Sequence, residues 1–135
     1  MRMVKKVLRG IAELQFNLFA TLGCPMVKAY CWDQLPTEKQ EEIMANIVYL
    51  IENPRASPQE LYAYGLQWSF EQGWRYDDAY DFTGKKSPSL VPWALVPDNK
   101  RIPYCHFVKT FRMIHAFIQE FPLMPECERP LEAMA

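Results

Sequence analysis

Trp68, Trp74, Tyr76, Tyr80, Trp93 and Tyr104 lie between positions 68 and 104, interleaved with Arg75, Lys85, Lys86, Lys100 and Arg101; Arg112 follows close behind. Aromatic faces stack planar heterocycles and fixed cations hold phosphates, so this mixture is the chemistry of a nucleotide-like ligand. The same rings also fill the core of a small domain built from short segments. Residue types alone leave both readings open.

Other chemistries find less support. Nucleophilic or acid–base catalysis needs a nucleophile, a base and an orienting group within reach of one another. The two histidines, His106 and His115, fall on one expected helix but on different faces, and no motif pairs them with a cysteine or serine. They read as ordinary helix histidines. Zinc needs close-set Cys/His pairs, whereas Cys24 and Cys31 are six residues apart and Cys105 and His106 are adjacent. Asp77, Asp78 and Asp81 lack the glycine and glutamate of a calcium loop and read as a polar turn. Neither GxxxxGK[ST] nor GxGxxG occurs. The expectation is no catalytic residue, no metal and no cofactor.

The elements that must position the aromatic and basic set are mainly helical. Val4, Leu8, Ile11, Leu14, Leu18 and Leu22 predict a first helix over 3–22, with Phe16 and Phe19 widening its apolar face. Gly23 and Pro25 should stop it. A second helix should start near Leu35-Pro36-Thr37-Glu38, with Thr37 able to cap it and Glu38, Glu41 and Glu42 suiting the dipole. Its apolar face is Ile43, Ile47, Leu50 and Ile51, and Asn53-Pro54 ends it. Ser57-Pro58-Gln59-Glu60 then reads as a capping box opening a third helix, which Gly73 closes as the C′ glycine. Residues 74–102 lose the helical period. Short extended pieces near 74–76 and 89–92, able to pair as an antiparallel element, flank a turn at Thr83-Gly84. A fourth helix should run from Tyr104 to about Glu120, ended by Pro122 and Pro125.

Composition sets outer bounds. One domain fits 135 residues, half of them hydrophobic, and disorder of the body is not expected. A net charge of −1 lacks the basic excess of a protein that grips nucleic-acid phosphates. No stretch approaches a membrane span. The opening MRMVKKVLRGIAELQFNLFATLGC is interrupted by Glu13, Gln15 and Asn17 and does not read as a signal peptide. A reducing cytoplasm with free thiols is therefore expected.

The run Glu71-Gln72-Gly73-Trp74, with Tyr76 and Asp81, followed by Lys86, Pro88, Leu90-Val91-Pro92-Trp93 and Leu95, resembles the ryanodine-receptor-type (RyR) domain. That domain recurs in ryanodine receptors and in stand-alone proteins of bacteria and phages. Tyr30-Cys31 and Trp32 before Leu35-Pro36 resemble the lead-in of the prokaryotic versions, and the likeness covers roughly residues 26–118. The chain departs from the pattern at Asp77, where the family usually has Gly, at Ser87, where it has His, and at Gly65, where an aromatic is common. The resemblance implies a mainly α fold with a short antiparallel β-element (α+β, about four helices). It would divide the chain into an N-terminal helix (1–25), an RyR-like domain (26–121) and a loose C-terminal tail (122–135).

The resemblance further implies a non-enzymatic module that senses or sequesters a nucleotide-derived ligand. Adenine nucleotides, ADP-ribose-like molecules and cyclic nucleotide signals are the candidates, in phage–host conflict and so in a host cytoplasm if phage-encoded. Trp74, Tyr76 or Trp93 would stack the base and Lys85, Lys86 or Arg101 would hold the phosphates, with Trp68 in the same ligand-binding set. No nucleic acid or membrane partner is expected. The alternative is a protein–protein module, a homodimer through the wide face of residues 3–22.

Overall fold

The computed structural model describes residues 5–21 and 31–120. Four helices dominate them: α1 (Lys5–Thr21), α2 (Thr37–Glu52), α3 (Pro58–Glu71) and α4 (Asp98–Glu120). Short 3-10 turns precede α2 (Trp32–Gln34) and α4 (Trp93–Leu95). Leu22, Gly23, Pro25, Cys24, the Tyr30 lead-in, Pro122, Pro125 and the 122–135 tail lie outside the described residues.

Each helix buries one stripe. Ile11, Ala12 and Phe16 of α1 meet Ile47 and Leu50 of α2, Leu61 of α3, and Val108 and Phe111 of α4, with Trp32 and Ala56 closing the cluster. Full burial of side chains of this size stabilises by roughly 1.5–3 kcal/mol each. Trp32 sets its ring edge-on against Phe16, with centroids 6.2 Å apart. Gln15, an interruption of the apolar pattern in the sequence, is fully buried; its Nε2 donates to the Phe107 carbonyl at 2.8 Å and ties α1 to α4.

The α3 start follows the capping-box expectation. Ser57 Oγ accepts from the Glu60 N–H at 3.1 Å, and Glu60 Oε1 accepts from the Ser57 N–H at 3.2 Å. Gly73 ends the helix at φ +95°, a conformation that costs a side-chain-bearing residue. At α2 the cap differs: Pro36 holds the N-cap position with no side-chain bond, and Thr37 is the first helical residue.

Two corrections fall between α3 and α4. The β-element is parallel, not antiparallel: β1 (Arg75–Tyr76) pairs with β2 (Lys86–Ser87), and 89–92 is not a strand. Arg75 N–H donates to Lys85 O at 2.9 Å and Asp77 N–H to Ser87 O at 3.3 Å. The reason is two reversals between the strands. Asp77 Oδ1 takes the Ala79 N–H in the first, and Asp81 Oδ1 takes the Gly84 N–H in the second, where Lys85 adopts φ 56°. The second reversal gives the one antiparallel contact, an isolated bridge between Asp81 and Lys86, and restores the direction of β1. The expected turn at Thr83-Gly84 is present there.

The other correction is the start of α4, six residues earlier than Tyr104, with Pro103 inside the helix. Pro97 O accepts the Lys100 and Arg101 N–H groups, nucleating the turn upstream. Pro103 then removes only one helical bond close to that end.

Candidate functional site

A groove of about 130 Å³ opens between α2, α3, the 74–90 segment and the N-terminal half of α4. Lys39, Glu42 and Asn46 reach it from α2, where spacings of 3 and 4 place them on one face. Tyr62 and Ser69 come from α3, Trp74, Tyr80, Ser87 and Ser89 from the connecting segment, and Tyr104 from α4.

Gly73 turns the chain so that Trp74 folds back under the start of α2. Trp74 is 6% exposed, and its indole N–H donates to Glu38 Oε1 at 2.7 Å. Tyr80 and Phe82 pack against the ring, both at 6.0 Å, and the Lys39 ammonium lies 5.8 Å from its centroid. Lys39 also pairs with Glu42 at 3.0 Å.

Tyr62 and Tyr104 supply a further aromatic part of the lining. Tyr62 and Tyr104 meet edge to face at 5.2 Å, and Trp93 packs on both from behind. The Tyr62 hydroxyl donates to the Ser89 and Val91 carbonyls, fixing the 89–91 segment to α3. Burial, aided by Glu42 and Tyr62, pushes the Tyr104 phenol up to about 12. Burial also raises Tyr62, against a lowering bond from the Val91 backbone. The side chains of Asn46, Ser69 and Tyr104 make no hydrogen bond to the described residues, so three polar groups facing the groove have capacity to spare.

Of the seven residues singled out in the sequence, Trp74 alone lines this groove. Lys85 stands beside it, donating to Gln72 O at 2.7 Å and lying 3.9 Å from Glu38. Trp93 and Arg101 form a unit behind the Tyr62–Tyr104 wall: the guanidinium sits 5.1 Å from the indole centroid, and Nη2 donates to Trp93 O at 2.8 Å. Tyr76 is 54% exposed and donates to Asp78, and Lys86 pairs with Asp77 at 3.9 Å. Trp68 is half-buried on α3, away from the lining.

Lys39, Glu42 and Asn46 escaped the sequence reading because a charged helix face resembles a solvated one. Their common spacing was the available signal. Ser87, one of the departures from the RyR pattern, is buried in the groove wall with its Oγ 2.7 Å from Ser89 Oγ. His106 is exposed and His115 stacks on Phe111; neither reaches the groove. Among the described residues, no group of three or more His, Cys, Asp or Glu side chains could hold a metal, and no helix is long and apolar enough to cross a membrane. No family model, curated protein or solved structure matches the chain.

Proposed function

We propose that the chain is a non-enzymatic RyR-like binding module, working in a reducing cytoplasm, that senses or sequesters a small nucleotide-derived ligand. The observation that carries the reading is the gathering of Trp74, Tyr80, Tyr62 and Tyr104 around one groove, lined also by Asn46 and Ser69, whose side chains make no hydrogen bond to the described residues. A planar base fits between aromatic walls and satisfies such groups with its edge. The Gly73-Trp74 and Leu90-Val91-Pro92-Trp93 pattern supports the same reading, because these segments frame the groove. Thermal shift and calorimetry against nucleosides, adenosine phosphates, ADP-ribose and cyclic dinucleotides test it. Micromolar binding, about −8 kcal/mol, is expected for at least one compound. It should weaken in Tyr80→Ala, a change at an exposed ring that spares the core. No response across the panel from folded protein would exclude the reading.

A second reading is assembly through α1, favoured by Leu14 at 48% and Leu18 at 38% exposure on its outer face. Sedimentation of a Leu14→Glu/Leu18→Glu variant is the test. Removing the whole helix would delete Ile11, Ala12 and Phe16 from the core, so a deletion would confound folding with assembly. A parent that sediments as a monomer at all concentrations excludes it.

A further inference from the structure

Resting on the binding reading above, we infer that the groove takes an uncharged nucleobase or nucleoside, with N–H donors on the edge facing α2, and discriminates against polyphosphates.

Charge is the first ground. Lys39 and Glu42 line the groove and pair at 3.0 Å, while Glu38 and Lys85 stand beside Trp74 at 3.9 Å from each other. Two cations and two carboxylates cancel. Lys86 and Arg101, the cations that would serve a phosphate chain, sit outside the lining and lie within ion-pair distance of Asp77 and Asp98. Each added phosphate would therefore meet Glu38 and Glu42 without an uncommitted cation in the lining to offset them.

Size is the second. About 130 Å³ is well short of the roughly 300–1,000 Å³ of clefts that enclose drug-sized ligands. A space of that size suits one ring system and leaves a phosphate chain outside. The third ground is hydrogen-bond polarity. A carboxylate paired with an ammonium only accepts, so the ligand atom opposite Glu42 must donate. Asn46 offers both roles one turn along the same face. An exocyclic amine beside a ring nitrogen matches that pair.

Calorimetry of the full chain with adenosine, guanosine and their 5′-mono- and triphosphates decides the matter. The nucleosides should bind at least as tightly as the triphosphates. Triphosphate affinity tenfold or more above the nucleoside overturns the inference and leaves the nucleotide-binding reading standing; binding by neither overturns both. Purine riboside, which lacks the exocyclic amine, should bind about tenfold more weakly than adenosine, and equal affinity would remove the donor edge. In Glu42→Gln, the triphosphate-to-nucleoside affinity ratio should rise by about fivefold, since a negative charge is lost and Lys39 is released. An unchanged ratio in a variant with native circular dichroism counts against the inference. If that variant does not fold, the wild-type series decides alone.

Discussion

The indole N–H of Trp74 and the carboxylate of Glu38 meet at 2.7 Å, and Lys85 Nζ lies 3.9 Å from the same Oε1 atom. Three segments converge there: the first turn of α2, the residue after the α3 stop, and the end of the turn before β2. The bond is charge-assisted and only partly open to water, the arrangement in which a hydrogen bond contributes most. Trp74→Phe keeps an aromatic ring but leaves Glu38 without its donor. The expected loss is about 1.5–3 kcal/mol, read from the urea midpoint. Glu38→Gln retains an acceptor and should lose less. Equal midpoints for wild type and Trp74→Phe would show that the contact holds nothing together.

Two glycines support this junction for different reasons. A Cβ at Gly73 would meet only Lys85 Cδ at 3.7 Å, an ordinary contact, so the penalty of Gly73→Ala is backbone strain at φ +95°. That amounts to about 1–2 kcal/mol. At Gly84 a Cβ would come within 2.4 Å of Asp81 Oδ2, although Asp81 is the residue that closes the turn through the Gly84 N–H. Gly84→Ala should therefore disturb the local turn and the Asp81–Lys86 bridge more than the core. Amide exchange at Lys86 should rise in Gly84→Ala and stay near wild type in Gly73→Ala. Equal protection in both variants would contradict the distinction.

The helices were legible because their signals are local. Ser57, Pro58, Glu60 and Gly73 specify both ends of α3 within reach of the element itself, and the 3–4 spacing of Phe107, Phe111 and Ile114 marks α4. The parallel pairing was not legible, since it depends on two reversals inside 77–85, each set by an aspartate side chain bonding a backbone N–H. The start of α4 was hidden by Pro103, whose breaker character is overridden once Pro97 has nucleated the turn and Arg101 has docked on Trp93. For the candidate site, the concentration of aromatic residues falls partly on the groove, where Trp74, Tyr80 and Tyr104 converge. Lys85, Lys86 and Arg101 have partners that sequence proximity does not reveal, so the polar side of the groove falls instead to α2.

The α3 capping box gives a prediction free of the groove. Ser57→Ala removes the acceptor for the Glu60 N–H while leaving Pro58 and the apolar face unchanged. A loss of about 1 kcal/mol is expected. Ser57→Asp, which restores an acceptor and adds a negative charge at the positive end of the helix, should recover most of it. Chemical denaturation of the three proteins at one pH makes the comparison. A Ser57→Asp variant no more stable than Ser57→Ala would separate stability from the cap.

Tyr104 makes alkaline pH informative. Its phenol is raised from 10.0 to about 12, chiefly by burial and then by Glu42 and Tyr62. Below pH 10 both folded and unfolded chains keep the proton, and the contribution is fully present. Between pH 10 and about 12 the unfolded chain releases the proton while the folded chain holds it, so stability falls as pH rises. Two pKa units correspond to about 2–3 kcal/mol across that window. Tyr62 is raised as well, also mainly by burial, and adds a loss of the same sign. Tyr104→Phe keeps the ring that packs on Tyr62 and Trp93 but has no proton to lose. Its urea midpoint should decline less steeply than that of the wild type over the same pH range. Parallel declines would mean that the Tyr104 hydroxyl titrates alike in both states, and that the wall of the groove is wetter than its packing implies.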